Sequence, residues 1–151
     1  MNDNAVAEKT ELQITKTINA KRDKVFQAWI KPELVSRWFA PGEMTVALAD
    51  VDPKVGGAYR IQMLDTDGST TYTTRGNYKE IIPNEKLVFT WGWEGPERYE
   101  SLVTILLADK GEGTEISLTH QRLANSEAVE KHTQGWNGCL ANLASRIKQM
   151  F

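Results

Sequence analysis

The hydrophobic residues of this chain recur with two periods. In LQITKTI, Leu12, Ile14 and Ile18 alternate with polar neighbours, the two-residue spacing of a half-buried strand. NAKRDKVFQAWIKP then brings Val25, Phe26 and Trp29 round at helical intervals. Pro32 limits that helix, because the residue before a proline avoids helical dihedrals. ELVSRWFAP predicts a second short helix or turn that presents Trp38 and Phe39 as an exposed pair. From there to Arg122 the two-residue period returns in six segments: EMTVALADVD, GGAYRIQML, TTYTTRGNYKEII, KLVFTWGW, YESLVTILLA and GTEISLTHQR. The clusters between them, DPKVGG, DTDGS, PNE, EGPER and DKGEG, are short enough to join antiparallel neighbours. Beyond them Asn125 or Ser126 is placed to cap a long helix, in which Val129, Trp136, Leu140, Leu143, Ile147 and Met150 recur every three or four residues.

This order predicts a single α+β domain over residues 1–151, with a flexible polar N-terminal arm over residues 1–10. A curved antiparallel sheet of about seven strands twists strongly. The long amphipathic helix should lie across its concave face, with the two short helices plugging one end. Such a closure tends to enclose a cavity. The helix carries its own sign of one, since HTQGWNGCLANL places Gly135 and Gly138 three residues apart around Trp136. Each glycine in a helix interior costs about 1 kcal/mol relative to alanine, so the pair is expected to leave space that the protein uses.

Composition removes several classes of partner. Eighteen basic residues nearly balance 20 acidic ones, giving a formal charge of -2, without the electrostatic footprint for nucleic acid or an anionic membrane. No stretch approaches the roughly 20 apolar residues of a spanning helix. Cys139 is the single cysteine, so no intrachain disulfide forms. The start MNDNAVAEKTE lacks the charged and apolar regions of a signal peptide, which predicts a cytoplasmic protein. An exposed edge strand would offer a route to a homodimer.

INAKRDKVFQAWIKPELVSRWFAP, the paired glycines of GGAYRI, GNYKEIIPNEKLVFTW, SLVTILLADKGEGTEISLTH and HTQGWNGCLANL, in that order, resemble the family of the C-terminal domain of the activator of the ninety-kilodalton heat-shock chaperone ATPase. The likeness covers roughly residues 12 to 150. It implies the helix-grip fold of the START-like superfamily and adds a chaperone as a candidate partner. Members of that superfamily bind, transfer or transform ligands, so the fold alone does not choose among these roles.

The candidate site follows from parity and spacing. In the last strand Ile116, Leu118 and His120 share one face, so His120 points inward with the other two. An inward imidazole acts as a proton carrier or a polar anchor, or is a core histidine with satisfied hydrogen bonds, the more common case. Phe89, Trp91 and Trp93 line up on one side of FTWGWEG, and with Trp38, Phe39 and Trp136 they are expected to form an aromatic pocket. Ile61, Met63, Tyr72 and Leu140 complete the expected ligand-binding set. His132, one turn before Trp136 in the H..GW pattern of the resemblance, is expected to be structural. Two histidines and one cysteine at these separations form no zinc set. Gly56 and Gly57 precede a strand instead of the helix that phosphate-binding glycine loops need. DTDGS lacks the downstream ligands of a calcium loop. Glu94, Glu97 and Glu100 read as a solvated loop, and no nucleophile elbow or paired cysteine and histidine is present. The expectation is a binding module for a small hydrophobic molecule, with no metal and no cofactor. A cyclase-type or hydrolase-type enzyme using His120, or an interaction protein acting on a chaperone ATPase, are the alternatives.

Overall fold

The computed structural model describes residues 9–96 and 99–151. Most of the expected N-terminal arm, and Glu97 of the EGPER turn, lie outside the described residues. The elements run β1 (Leu12–Ile18), α1 (Arg22–Ile30), α2 (Pro32–Val35), β2 (Thr45–Val51), β3 (Ala58–Leu64), β4 (Thr71–Ile82), β5 (Lys86–Trp93), β6 (Ser101–Lys110), β7 (Gly113–Gln121) and α3 (Ser126–Arg146), followed by a 3-10 turn over Ile147–Gln149. All seven strands form one antiparallel sheet in the order β1-β7-β6-β5-β4-β3-β2. Strands β2 to β7 are a meander, and β1 closes the far edge by pairing Leu12 with His120 and Ile18 with Thr114.

Alternation places the core. Tyr59, Ile61 and Met63 of β3, Leu87, Phe89 and Trp91 of β5, Val103, Ile105 and Leu107 of β6, and Ile116, Leu118 and His120 of β7 are all buried on the concave face. Two register shifts, between Val46 and Leu48 and between Tyr78 and Glu80, sharpen the curl. Gly76 sits at the tightest point: a Cβ there would run into the carbonyl of Thr90 on β5, so a side chain would force the strands apart.

Helix α3 starts where the Asn125 side chain accepts the backbone N–H of Ala128 at 2.8 Å. Its stripe of Val129, Trp136, Leu140 and Leu143 is buried, and Ile147 and Met150 continue it beyond the helix proper. Trp38 and Phe39 depart from expectation. They are not exposed: the turn after α2 folds them inward, leaving them 1% and 3% accessible. Trp38 donates its indole N–H to the Ala28 carbonyl at 2.9 Å and meets Trp29 edge-on at 4.7 Å between ring centroids. The period of a four-residue helix is too short to reveal its buried side.

Leu140 is fully buried at the centre of the stripe. Leu140→Ala should therefore cost about 2 to 5 kcal/mol, read as a lower midpoint in urea unfolding. A loss below about half a kcal/mol, the range of ordinary surface changes, would mean the helix is not seated as described.

Candidate ligand cavity

Between α3 and the β3–β5 part of the sheet lies a cavity of about 630 Å³ that opens to solvent. Its walls are Phe39 and Pro41 from the loop after α2, Met44 before β2, Met63 and Asp65 at the end of β3, and Tyr72, Trp91 and Trp93 from β4 and β5. The helix supplies Lys131, His132, Gln134, Gly135, Trp136 and Cys139. Most of that surface is aromatic, thioether or thiol, with charge confined to Asp65 and Lys131.

The two helix glycines do different things. A Cβ on Gly135 would meet nothing within 4 Å, so the missing side chain opens directly onto the cavity. A Cβ on Gly138 would stand 2.8 Å from Cβ of Pro41 and 3.1 Å from its Cα. That glycine lets the helix pack against the loop after α2, and it opens no space. Asn142, one turn on, secures the same loop by donating to the carbonyls of Ala40 and Gly42.

Behind the wall runs a chain of hydrogen bonds. The Trp136 indole N–H donates to Nδ1 of His120 at 3.0 Å. With Nδ1 accepting, the proton of the neutral ring is on Nε2, which meets the Ser101 hydroxyl at 2.7 Å. Ser101 passes its own proton to the Trp91 carbonyl at 3.2 Å. His120 is thus wholly buried with both nitrogens committed. Burial, reinforced by nearby His132, lowers its pKa to about 3. His132 repeats the arrangement nearer the mouth: Nδ1 donates to the Ala128 carbonyl at 2.7 Å, and Nε2 accepts from the Trp93 indole at 3.1 Å. Burial lowers its pKa as well, against the opposing pull of the Ala128 carbonyl. The imidazoles meet edge to face at 5.0 Å. Two neutral rings at that distance are compatible, whereas two cations would repel.

Of the residues expected at the site, Phe39, Met63, Tyr72, Trp91, Trp93 and Trp136 line the cavity. His120 stands behind Trp91 and Trp136, and Trp38, Ile61, Phe89 and Leu140 pack into the adjoining core. Pro41, Met44, Asp65, Lys131, Gln134 and Cys139 line it unannounced, and His132, expected to be structural, is also part of the wall. Asp65 was legible in principle, since it continues the inward row of Tyr59, Ile61 and Met63 by two residues. Glu94 forms a bidentate pair with Arg60 at 2.6 and 2.8 Å, away from the cavity. Among the described residues no three His, Cys, Asp or Glu side chains converge as a metal site would need. No helix there is long and apolar enough to cross a membrane.

Comparison with known proteins places this architecture. The family model of the Activator of Hsp90 ATPase homolog 1-like proteins matches residues 19–148. The chain belongs to this family. A protein of Chromobacterium violaceum shares the fold with a TM-score of 0.84 and 22% identity, over 91% of this chain and 96% of its own. The AHSA1 protein of Silicibacter pomeroyi matches with a TM-score of 0.83 and 22% identity, over 93% and 99%. An HSP90 activator from Plasmodium falciparum matches with a TM-score of 0.70 and 25% identity, over 89% and 94%. No curated protein matches the sequence. These proteins thus share the overall fold of this chain.

The histidine pair makes stability depend on pH. An unfolded histidine takes up a proton near its usual 6.5, while folded His120 does so only near 3. Between those values the unfolded chain binds more protons, so stability falls as the pH drops. The slope approaches about 1.4 kcal/mol per pH unit for each such group. Lowering the pH from about 7 to about 5 should remove about 2 kcal/mol through His120, with His132 adding to it, as measured by urea unfolding. His120→Gln should flatten most of this dependence. A profile already flat in the unmodified protein would mean that the imidazoles titrate freely.

Proposed function

We propose that the protein is a binding module that holds a small, mainly apolar molecule in the cavity between α3 and the sheet. The observation that carries this reading is the open volume beside Gly135, about 630 Å³ walled by Phe39, Trp91, Trp93, Trp136 and Met63. An empty space of that size forfeits the contacts that filling side chains would make. Its residues include a helix glycine that lowers intrinsic stability. Cavities of several hundred Å³ with aromatic walls and few polar groups are the usual form of small-molecule sites.

Enzymatic readings fit less well. The imidazole with the best inward position, His120, is neutral, sealed and engaged at both nitrogens, so it has no free lone pair or proton to exchange with a ligand. The Cys139 thiol at the cavity wall is pushed up to about 12 by burial, far from the thiolate that nucleophilic chemistry uses. A second reading, interaction with a chaperone ATPase through the surface, is favoured by the family to which the chain belongs.

One substitution separates the two. Gly135→Leu places a side chain into the open volume and improves helix propensity by up to about 1 kcal/mol. The variant should stay folded and lose its enhancement of fluorescence from N-phenyl-1-naphthylamine, a neutral apolar probe, while any effect on a chaperone ATPase persists. Unchanged probe binding by the variant, or none by the unmodified protein, would remove the ligand-binding reading.

A further inference from the structure

This inference rests on the reading of the cavity as a ligand site and assigns its ligand class. We propose that the ligand is an amphiphilic organic cation, its apolar body inside and its ammonium head at the mouth between Asp65 and the aromatic rings of Trp93 and Tyr72.

The inward row of β3 leads to the mouth. Tyr59, Ile61 and Met63 are buried on the concave face, and Asp65 is the next member, still tied to the sheet by its backbone N–H to the Thr70 carbonyl at 2.8 Å. An apolar row that ends in a half-buried carboxylate at a cavity mouth sets a negative charge where a bound molecule would emerge. One oxygen of Asp65 accepts from the backbone N–H of Thr66 at 2.7 Å and, at 3.4 Å, from its hydroxyl. The other has no hydrogen bond, and the carboxylate has no ion pair, among the described residues. As part of the cavity wall, the carboxylate therefore keeps acceptor capacity to spare.

The rings next to it suit a cation. Tyr72 pairs with Met63 across β3 and β4, and Trp93 pairs with Thr74 on the next strand, so Asp65, Tyr72 and Trp93 follow one another around the rim. Tyr72 and Trp93 are 45% and 38% accessible, which leaves ring surface open to a ligand. Trp93 is held in place by its bond to His132. Among the described residues the single cation over an aromatic face is Lys24 on Phe151, neither of which lines the cavity, so no side-chain ammonium occupies these rings. Indole is the best of the aromatic surfaces for a cation, and a neighbouring carboxylate adds a direct charge term.

The remaining charges at the mouth do not reverse that sign. His132 is neutral with both nitrogens engaged. Lys131, the cationic lining residue, is paired with Glu127 one turn earlier at 3.1 Å. Asp65, Lys131 and Glu127 together carry one net negative charge, which disfavours a carboxylate head and favours an ammonium.

The test compares decyltrimethylammonium, decanol and decanoate, all below micelle formation, by quenching of tryptophan fluorescence in the intact protein. The cation should bind about tenfold more tightly than the alcohol, as expected for a partly exposed charge pair combined with an aromatic contact, and decanoate should bind most weakly. Asp65→Asn should bring the cation's affinity down to that of decanol measured on the same variant, and Lys131→Ala should widen the preference. Normal decanol binding with no preference for the cation, or a preference that survives Asp65→Asn, would overturn this inference alone. Failure of all three probes to bind would overturn the ligand-site reading together with it.

Discussion

The structure depends on a buried imidazole that burial holds neutral well below the usual histidine range. His120 joins three strands and the gripping helix through one unbroken path: indole of Trp136 to Nδ1, Nε2 to the Ser101 hydroxyl, and that hydroxyl to the Trp91 carbonyl. Buried polar groups are costly when unpaired and directional when paired. A histidine that needs one donor and one acceptor therefore fixes how α3 is rotated over the sheet in a way that apolar contacts do not. With Trp136 set by that bond, its ring becomes part of the cavity wall, and Gly135 is turned toward the open volume. His132 and Trp93 repeat the arrangement at the rim. One tautomeric choice in the core thus propagates to the shape of the site.

The space itself results from an uneven use of small residues on α3. Gly138 brings the helix against Pro41, and Asn142 clamps the same loop. That loop also delivers Phe39, which touches Trp29, Trp91 and Trp136. The helix is held close at one turn and left uncovered at the turn before it. A site built this way is closely packed at its apolar end and more exposed at its rim, where Tyr72, Trp93 and Lys131 meet solvent.

Much of this was legible in the sequence, because it rests on periodicity. The strands, the α3 stripe and the inward turn of His120 follow from two-residue and three-to-four-residue spacings alone, with strand ends shifted by a residue or two, and Asn125 was one of two adjacent residues whose type suits the cap it forms. The likeness of five ordered motifs to the activator family also survives, since the family model spans residues 19–148. What the spacing could not tell was depth. His120, Leu140, Ile61 and Phe89 share the inward parity of the lining residues but pack behind them, and only the three-dimensional curl decides which inward residue meets the open volume. Trp38 and Phe39 were misjudged because a loop has no period to read. The separate duties of Gly135 and Gly138 depend on Pro41, nearly a hundred positions away in the chain, and no local pattern carries that contact.

The space beside Gly135 should receive an apolar molecule without rearranging the core. Nitrogen-15 NMR of the indole N–H groups during a titration with decanol tests it most directly, because tryptophans stand both at the cavity wall and in the core. The indole signals of Trp91, Trp93 and Trp136 should shift saturably, with Trp38, bonded to the Ala28 carbonyl away from the cavity, left in place. Indole signals that all stay fixed, or that Trp38 follows as strongly as Trp93, would contradict it.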